Sequence, residues 1–496
     1  MSDSIKRKIV VLGATVEGYM AAWTLKQQYA KGRFDITVLD CATEGGEGAF
    51  SLQEESLRIL ARFGLNEKTL LENVSGTHKL GTTFGNWRAD GGEIVQPLGT
   101  HGGPMESVAF QNFAVVKRRE HGGLDYNDYS LSANAAQAGK FIHPQINPGS
   151  ILSTLGYSLH LDRSELRALL EKLCREEDVA TLDSEVQEVG LSEDGSSVAR
   201  LTLSDGKALD ADLFIDCSNR ADSPVGDALS VPFESWRRYF ANDRKIAFRQ
   251  QGDGNCRPLT EVTAYENGLI RKVPLETSFR GELYYPGERL DREHAVDFLK
   301  SVEPGAEIES DAIAFESGIR ASAWVGNYVA LGKAYGRYEP LDSSNFHGFL
   351  VSLERFLDLF PRTADCECEA REFNRKTRLW FENLRDHNLM RYVSLQFSSI
   401  EPDGLEALPE SFRQKFRLFT ETADVAYFEE EPFGEPYRVS CYINMGFWPK
   451  SHHVLVDRFD FGKLDQRFEE FRRMVDAAVA KMPNHLEYTR RLLASQ

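Results

Sequence analysis

No apolar run in this 496-residue sequence approaches the length of a membrane-spanning helix. Basic residues are in deficit, with 58 Lys and Arg against 76 Asp and Glu. The formal net charge of −18 argues against non-specific binding to nucleic acid or to anionic membranes, both of which need basic patches. Cysteine is sparse, with seven scattered residues, an odd number. Cys366 and Cys368 stand too close for a common metal clip and no C-x-x-C occurs, so no metal site is expected. Free thiols in a reduced, cytoplasmic protein are the expectation. The polar stretch Met1 to Lys8 runs straight into an apolar segment, so no signal peptide is expected there. Internal repeats and low-complexity tracts are missing too. What remains is an ordinary globular composition. The chain is long enough for two domains or one elaborated α/β body.

The most informative stretch is the first forty residues. Ile9 to Leu12 is a short apolar, mostly β-branched run that predicts a buried strand. Gly13 opens a turn, Gly18 follows five residues later, and the residues from Gly18 to Tyr29 favour a helix. A second strand, Asp35 to Leu39, leads to Asp40. This is the order of a dinucleotide-binding βαβ unit: a tight turn, a helix N-terminus for a pyrophosphate, and a carboxylate for a ribose hydroxyl. Thr15 stands where the middle glycine of G-x-G-x-x-G would let the backbone approach the pyrophosphate. A βαβ unit that binds nothing remains the alternative.

Further along, Ser51 to Phe63 has helical composition, and His78-Lys79-Leu80 lies in a segment that reads as a strand or tight loop. A lone strand lysine is usually a surface charge. Arg88 to Asn147 shows little periodicity and many Gly, Asn and Pro residues; it reads as a long loop region contributing to a substrate pocket, or as a surface insertion. Asp162 caps a helix over Arg163 to Arg175, with Glu165 completing a capping-box pattern. Strands follow at Glu185 to Ser192 and Ser197 to Leu203, joined by the turn Glu193-Asp-Gly-Ser196. Asp212 to Ser218 reads as a strand that returns beside the N-terminal unit, or as a plain sheet strand. Trp324 to Gly332 reads as another strand. Past it, apolar residues from Phe346 to Phe360 recur at helical spacing until Pro361. The small-residue loop before that helix suits an anion or a polar cofactor edge, or supplies a simple N-cap at Ser343 or Ser344. From Ala370 onward the composition is largely helical, with aromatic-rich helices at Asn374 to Asp386 and Leu464 to Lys481.

Taken together these segments resemble the flavin-dependent tryptophan halogenases over about Lys8 to Tyr392. Gly13-Ala-Thr-Val-Glu-Gly-Tyr-Met-Ala-Ala22 resembles that family's glycine motif. Lys79-Leu-Gly-Thr-Thr-Phe-Gly-Asn-Trp87 resembles the run holding its catalytic lysine. Gly332-Lys-Ala-Tyr-Gly-Arg-Tyr-Glu-Pro-Leu-Asp-Ser-Ser344 resembles the stretch that binds flavin and halide, and Phe381-Glu-Asn-Leu-Arg-Asp-His-Asn388 a later helical signature.

The resemblance implies an α/β fold: an FAD-binding, βαβ-type core like that of flavin monooxygenases, with a mostly helical C-terminal substrate cap. The core is expected over 1–361, with pocket segments at about 75–150 and 220–315, and the cap over 362–496. The resemblance further implies FAD as the cofactor, delivered as FADH2 by a separate reductase, and chloride or bromide as co-substrate. Gly13, Thr15, Val16, Gly18, Asp40, Gly332 and Leu341 are then the cofactor-binding positions. Ser343 and Ser344 would hold the halide, and Lys79 and Asp342 would be catalytic. Hypohalous acid would travel to Lys79 for transfer to an electron-rich indole, phenol or pyrrole, with a carboxylate accepting the displaced proton. Three departures stand out. Asp342 replaces the usual glutamate, Asn219 a glycine, and Gly268-Leu-Ile-Arg-Lys-Val-Pro-Leu275 lacks both tryptophans of the Trp-x-Trp-x-Ile-Pro signature. A flavin monooxygenase acting on an aromatic, or a non-halogenating relic, are the alternatives. The expected partners are an aromatic small molecule and a transient reductase, with neither nucleic acid nor membrane and with dimerisation left open. Thr15 implies loose flavin binding.

Overall fold

The computed structural model describes residues 7–29, 32–41, 48–88, 91–103, 105, 107–220, 223–252, 254–341, 345–362, 366–395 and 402–494. Two compact units divide the chain. The first comprises Met1–Gly76, Leu161–Arg249 and Glu282–Phe381; the second comprises Thr77–His160, Gln250–Gly281 and Glu382–Gln496.

The first unit is built on a six-stranded sheet. Its elements are β1 (Arg7–Leu12), α1 (Val16–Gln28), β2 (Phe34–Asp40), α2 (Arg163–Glu176), β3 (Ala180–Asp183), β4 (Leu213–Asp216), β5 (Trp324–Val325), β6 (Tyr328–Ala330) and α3 (Asn345–Asp358). The strand order is β5-β6-β4-β1-β2-β3, with β1 parallel to both β2 and β4. Strand order therefore reverses at β1, and the carboxyl ends of β1 and β4 flank the switch point where open α/β sheets bind ligands. The strand expected to return beside the N-terminal unit does so, pairing Leu12 with Asp216. The apolar β1 run is buried, as is α1 from Val16 to Leu25. A helix buried all round needs tight approaches. A Cβ on Gly18 would lie 1.9 Å from the Gly13 carbonyl oxygen. Gly18→Ala is expected to destabilise the protein by about 3 kcal/mol or more, because backbone and not a side chain must move. A lowered denaturation midpoint measures it; a melt like that of the native chain would show that the turn relaxes freely.

Several expectations need correction. Trp324 to Gly332 is a hairpin, β5 antiparallel to β6, because Gly326 and Asn327 form a turn with Gly326 at φ 54°. Asp162 caps α2 by accepting from Ser164 and Glu165 backbone N–H groups, but Glu165 leaves the capping box: its carboxylate accepts from the backbone N–H and the hydroxyl of Ser75. The helix read as Asn374 to Asp386 is one turnless run, Glu367–Ser394.

In the second unit, Leu259–Tyr265 and Gly268–Pro274 form a hairpin. Gly81–Gly85 lies parallel to the first of these strands and antiparallel to Ile94–Pro97. The core around them is formed by Leu80, Val95, Leu131, Phe141, Leu259 and Val475 among others. Arg88 to Asn147 is not a long loop. It holds the helices Phe110–His121 and Leu131–Gln137, hidden because Ala109 offers no side-chain cap and the second helix is rich in Ala, Ser and Asn. Aromatic residues of Phe461–Lys481 serve the core: Phe468 stacks on Phe110 at 5.0 Å. No helix among the described residues is long and apolar enough to cross a membrane.

Candidate cofactor and catalytic sites

Gly13 holds φ 98°, a conformation side chains disfavour, and a Cβ there would come within 2.6 Å of the Ser218 Cα. The turn after β1 is thus pressed onto the exit of β4. Thr15 is the N-cap of α1: its hydroxyl accepts from the Gly18 N–H at 3.0 Å and donates to the Cys217 carbonyl at 2.9 Å. The β-branched residue that flaws the glycine motif therefore spends its polar atom inside the protein. Asp40 closes β2, and burial raises its carboxyl above the usual value against the opposing pull of Arg167. Arg167 also reaches back to the turn, donating to the Ala14 carbonyl at 2.7 Å.

Below the turn lies a buried acid that sequence reasoning passed over. Glu17, in the first turn of α1, is 2% exposed. Its carboxylate accepts both Arg163 Nη2 contacts, at 2.8 and 3.0 Å, and the Asn219 amide at 3.0 Å. Burial alone would raise its pKa; the charges of Arg163 and then Lys333, with the Asn219 amide, outweigh it and hold the group below its ordinary value. Half-buried Lys333 is in turn held well below the usual ammonium range by burial and by the neighbouring Arg163 and Lys245. Arg163, which cannot give up its proton, is the partner that keeps Glu17 ionised. The signal available in the sequence was a glutamate inside the glycine motif itself.

At the exit of β4, Asp216 is fully buried. It accepts from the Ser218 N–H and hydroxyl, from Tyr328 at 2.8 Å and from Ser223. Burial, then this carboxylate, pushes the Cys41 thiol up to about 12 and the Cys217 thiol well above its normal range. Both stay neutral thiols, and none of the seven cysteines forms a disulfide. Gly332 begins a short turn after β6 and packs on α3, where a Cβ would approach that of Phe349 to 2.9 Å. Leu341 is buried. Asp342, Ser343 and Ser344 lie outside the described residues.

Two features mark this end of the sheet. A small cavity of about 30 Å³ opens at the carboxyl ends of β1, β2 and β4, lined by Leu12, Cys41, Val186, Ser218, Arg220 and Ser223. Beside it in sequence, Asn219 sits in the left-handed region at φ 63° and is 1% exposed. Its Oδ1 accepts no hydrogen bond among the described residues, an orphaned acceptor suited to a ligand hydroxyl.

In the second unit Lys79 ends the strand Gly76–Lys79 and is fully buried, not the surface charge a lone strand lysine usually is. The Leu80 N–H, donating to the Pro258 carbonyl at 2.7 Å, fixes the backbone next to it. His160 lies within reach of its field. Burial, then the charges of Lys79 and Arg271, drives that imidazole well below its usual pKa. His160 bridges Thr77 and Thr260 through its two ring nitrogens, at 3.1 and 2.9 Å. Arg271 and Leu269, both buried, occupy the stretch where the signature tryptophans are missing. His101, from the expected pocket segment, is buried against Tyr126 at 4.3 Å and bonded to Asn127.

The parallel sheet with its switch point at β1 and the glycine turn at its carboxyl edge form an α/β core consistent with the flavin-binding type. The chain belongs to the tryptophan halogenase family, whose sequence model matches residues 8–460. It is an enzyme of the flavin-dependent halogenase class. It is 25% identical to the tryptophan 7-halogenase RebH of Lentzea aerocolonigenes over 483 residues, 90% of this chain and 88% of RebH. The solved structure of BrvH, a flavin-dependent halogenase from Brevundimonas sp. BAL3, superposes with a TM-score of 0.90 at 28% identity, covering 98% of this chain and 99% of BrvH. Xcc4156, a flavin-dependent halogenase from Xanthomonas campestris, superposes at 0.89 with 26% identity, covering 98% of both chains.

Proposed function

We propose that this protein uses FADH2 from a separate reductase, dioxygen and chloride or bromide to halogenate an electron-rich aromatic carbon of an indole, phenol or pyrrole. The observation that carries the reading is the fully buried Lys79, within a run that resembles the family's lysine segment and inside the residues matched by the family model. Bound as FADH2, the flavin would activate dioxygen, and dioxygen would supply the oxidising power that turns halide into hypohalous acid. Gly13, Val16 and Gly18 would admit its pyrophosphate to the first turn of α1, Asp40 would hold its ribose, and Gly332 and Leu341 would border its ring. Ser343 and Ser344 are assigned to the halide.

Lys79 then acts on hypohalous acid. Its ammonium donates a hydrogen bond to the oxygen and draws electron density from the O–X bond. The ring carbon takes X as that bond breaks, and the leaving hydroxide takes a proton from the Lys79 ammonium and departs as water. The ring proton passes to a carboxylate, assigned to Asp342, before returning through solvent to the lysine. The balance is ArH plus HOX giving ArX plus water. A buried lysine meets little competing water, which strengthens this polarisation.

The test is a screen of aromatic substrates with a flavin reductase and either chloride or bromide, with products read by mass. Halide-dependent mass gains of one halogen for one hydrogen support the proposal. A second reading, aromatic monooxygenation, is favoured by the buried Leu269 and Arg271 in place of the tryptophan signature. Gain of one oxygen, unchanged when halide is omitted, would select it.

A further inference from the structure

We propose that Glu17 is a built-in competitor for the cofactor's pyrophosphate, so that this chain holds FAD loosely by design of its own first helical turn. The inference rests on the flavin reading above. A helix N-terminus attracts one anion, and in a dinucleotide fold that anion is the pyrophosphate. Here the first turn of the 13-residue α1 already carries one, the carboxylate of Glu17, with a side chain only 3% exposed.

Two groups that could meet a phosphate here, Arg163 and Asn219, are committed to that carboxylate. Arg163 donates to both of its oxygens, and its guanidinium is further fixed over the Phe50 ring at 4.8 Å. Asn219 turns its amide nitrogen to the same carboxylate and leaves its oxygen without a donor among the described residues. The Lys333 charge also acts on Glu17. The Arg337 guanidinium donates to the Asn219 carbonyl and holds that residue in place. A pyrophosphate arriving at this turn meets a fixed negative charge in a poorly solvated setting, where like charges repel most strongly. It also finds Arg163 occupied. Thr15, capping the helix with its hydroxyl, adds bulk at the same turn. A cofactor that must arrive reduced and depart oxidised is served by such weak retention.

Binding of the full-length protein to oxidised FAD, ADP and riboflavin, followed by flavin fluorescence or calorimetry, tests this. Glu17→Ala and the isosteric Glu17→Gln are compared with the native chain, the glutamine keeping the side-chain volume and one acceptor oxygen for Asn219 and Arg163 should alanine fold poorly. Both variants are expected to bind FAD and ADP at least about 10-fold more tightly, the effect of removing one charge near a phosphate, with riboflavin unchanged because it carries no phosphate. Equal or weaker FAD binding by the variants overturns the role of Glu17 while leaving the flavin reading intact. Tightening shared by riboflavin overturns it as well, since the effect would not act at the pyrophosphate. FAD bound by none of the three proteins overturns the flavin reading together with this inference.

Discussion

Replacing Lys79 by methionine is expected to cut halogenated product by at least about 100-fold, the usual scale of a positioned proton or hydrogen-bond donor, while consumption of reduced flavin continues. Methionine keeps most of the side-chain volume, and the flanking backbone is held by the Leu80 to Pro258 hydrogen bond, so packing loss is limited. The lost charge is the point of the experiment. Lys79 is fully buried, and its field is felt at His160, so its ammonium acts in a medium where water screens little. A thermal melt close to the native one, together with unchanged flavin affinity, would assign the loss to halogen transfer. Product formed at the native rate would remove Lys79 from the mechanism. A further comparison with Asp342→Asn separates the two assigned roles: the lysine should control formation of the C–X bond, the acid only loss of the ring proton.

The parts of the fold that were legible in the sequence are those whose information is local. The β-branched run before Gly13 and the 3-and-4 spacing from Phe346 to Phe360 each specify an element by their own periodicity, and β1 and α3 form there. The helix Phe110–His121 was not legible. It lacks a capping side chain and ends in Lys117-Arg-Arg-Glu-His121 before Gly122, whose left-handed conformation at φ 73° closes it. Its apolar contacts, Phe113 against Phe459 and Phe110 against Phe468, come from some 350 residues downstream and leave no trace in a local window. The same distinction governs the site. The glycine turn and Asp40 follow from one short motif, whereas the meaning of Glu17 depends on Arg163 and Asn219, 146 and 202 residues away. A glutamate in a first helical turn is unremarkable until its partners arrive from elsewhere in the fold.

Acidification from pH 6.5 towards 4 is expected to erode stability through three histidines of the second unit. Burial pushes His101 down to about 4, an effect its hydrogen bond to Asn127 only partly offsets. Burial likewise lowers His485 to about 4, against a hydrogen bond with the Cys256 carbonyl. His160 lies well below its ordinary value, through burial and then the charges of Lys79 and Arg271. All three therefore remain neutral in the native protein in a range where the unfolded chain, with histidine near pKa 6.5, takes up protons. Since the unfolded state binds more protons there, stability rises with pH and falls as pH drops below about 6.5, by about 1.4 kcal/mol per histidine per pH unit. Below about 4, His101 and His485 protonate in the native state as well and add no further loss, while His160 continues to contribute. The formal charge of −18 works the other way, because acid relieves self-repulsion, so the diagnostic quantity is a difference between proteins. His160→Gln retains hydrogen-bonding groups for Thr77 and Thr260 but cannot titrate. Urea midpoints measured from pH 6 to 4.5 should show its stability falling less steeply than that of the native chain, by about one histidine's share. Parallel slopes for the two proteins would mean that His160 takes up its proton in the folded state, and that the positive charges of Lys79 and Arg271 do not reach it.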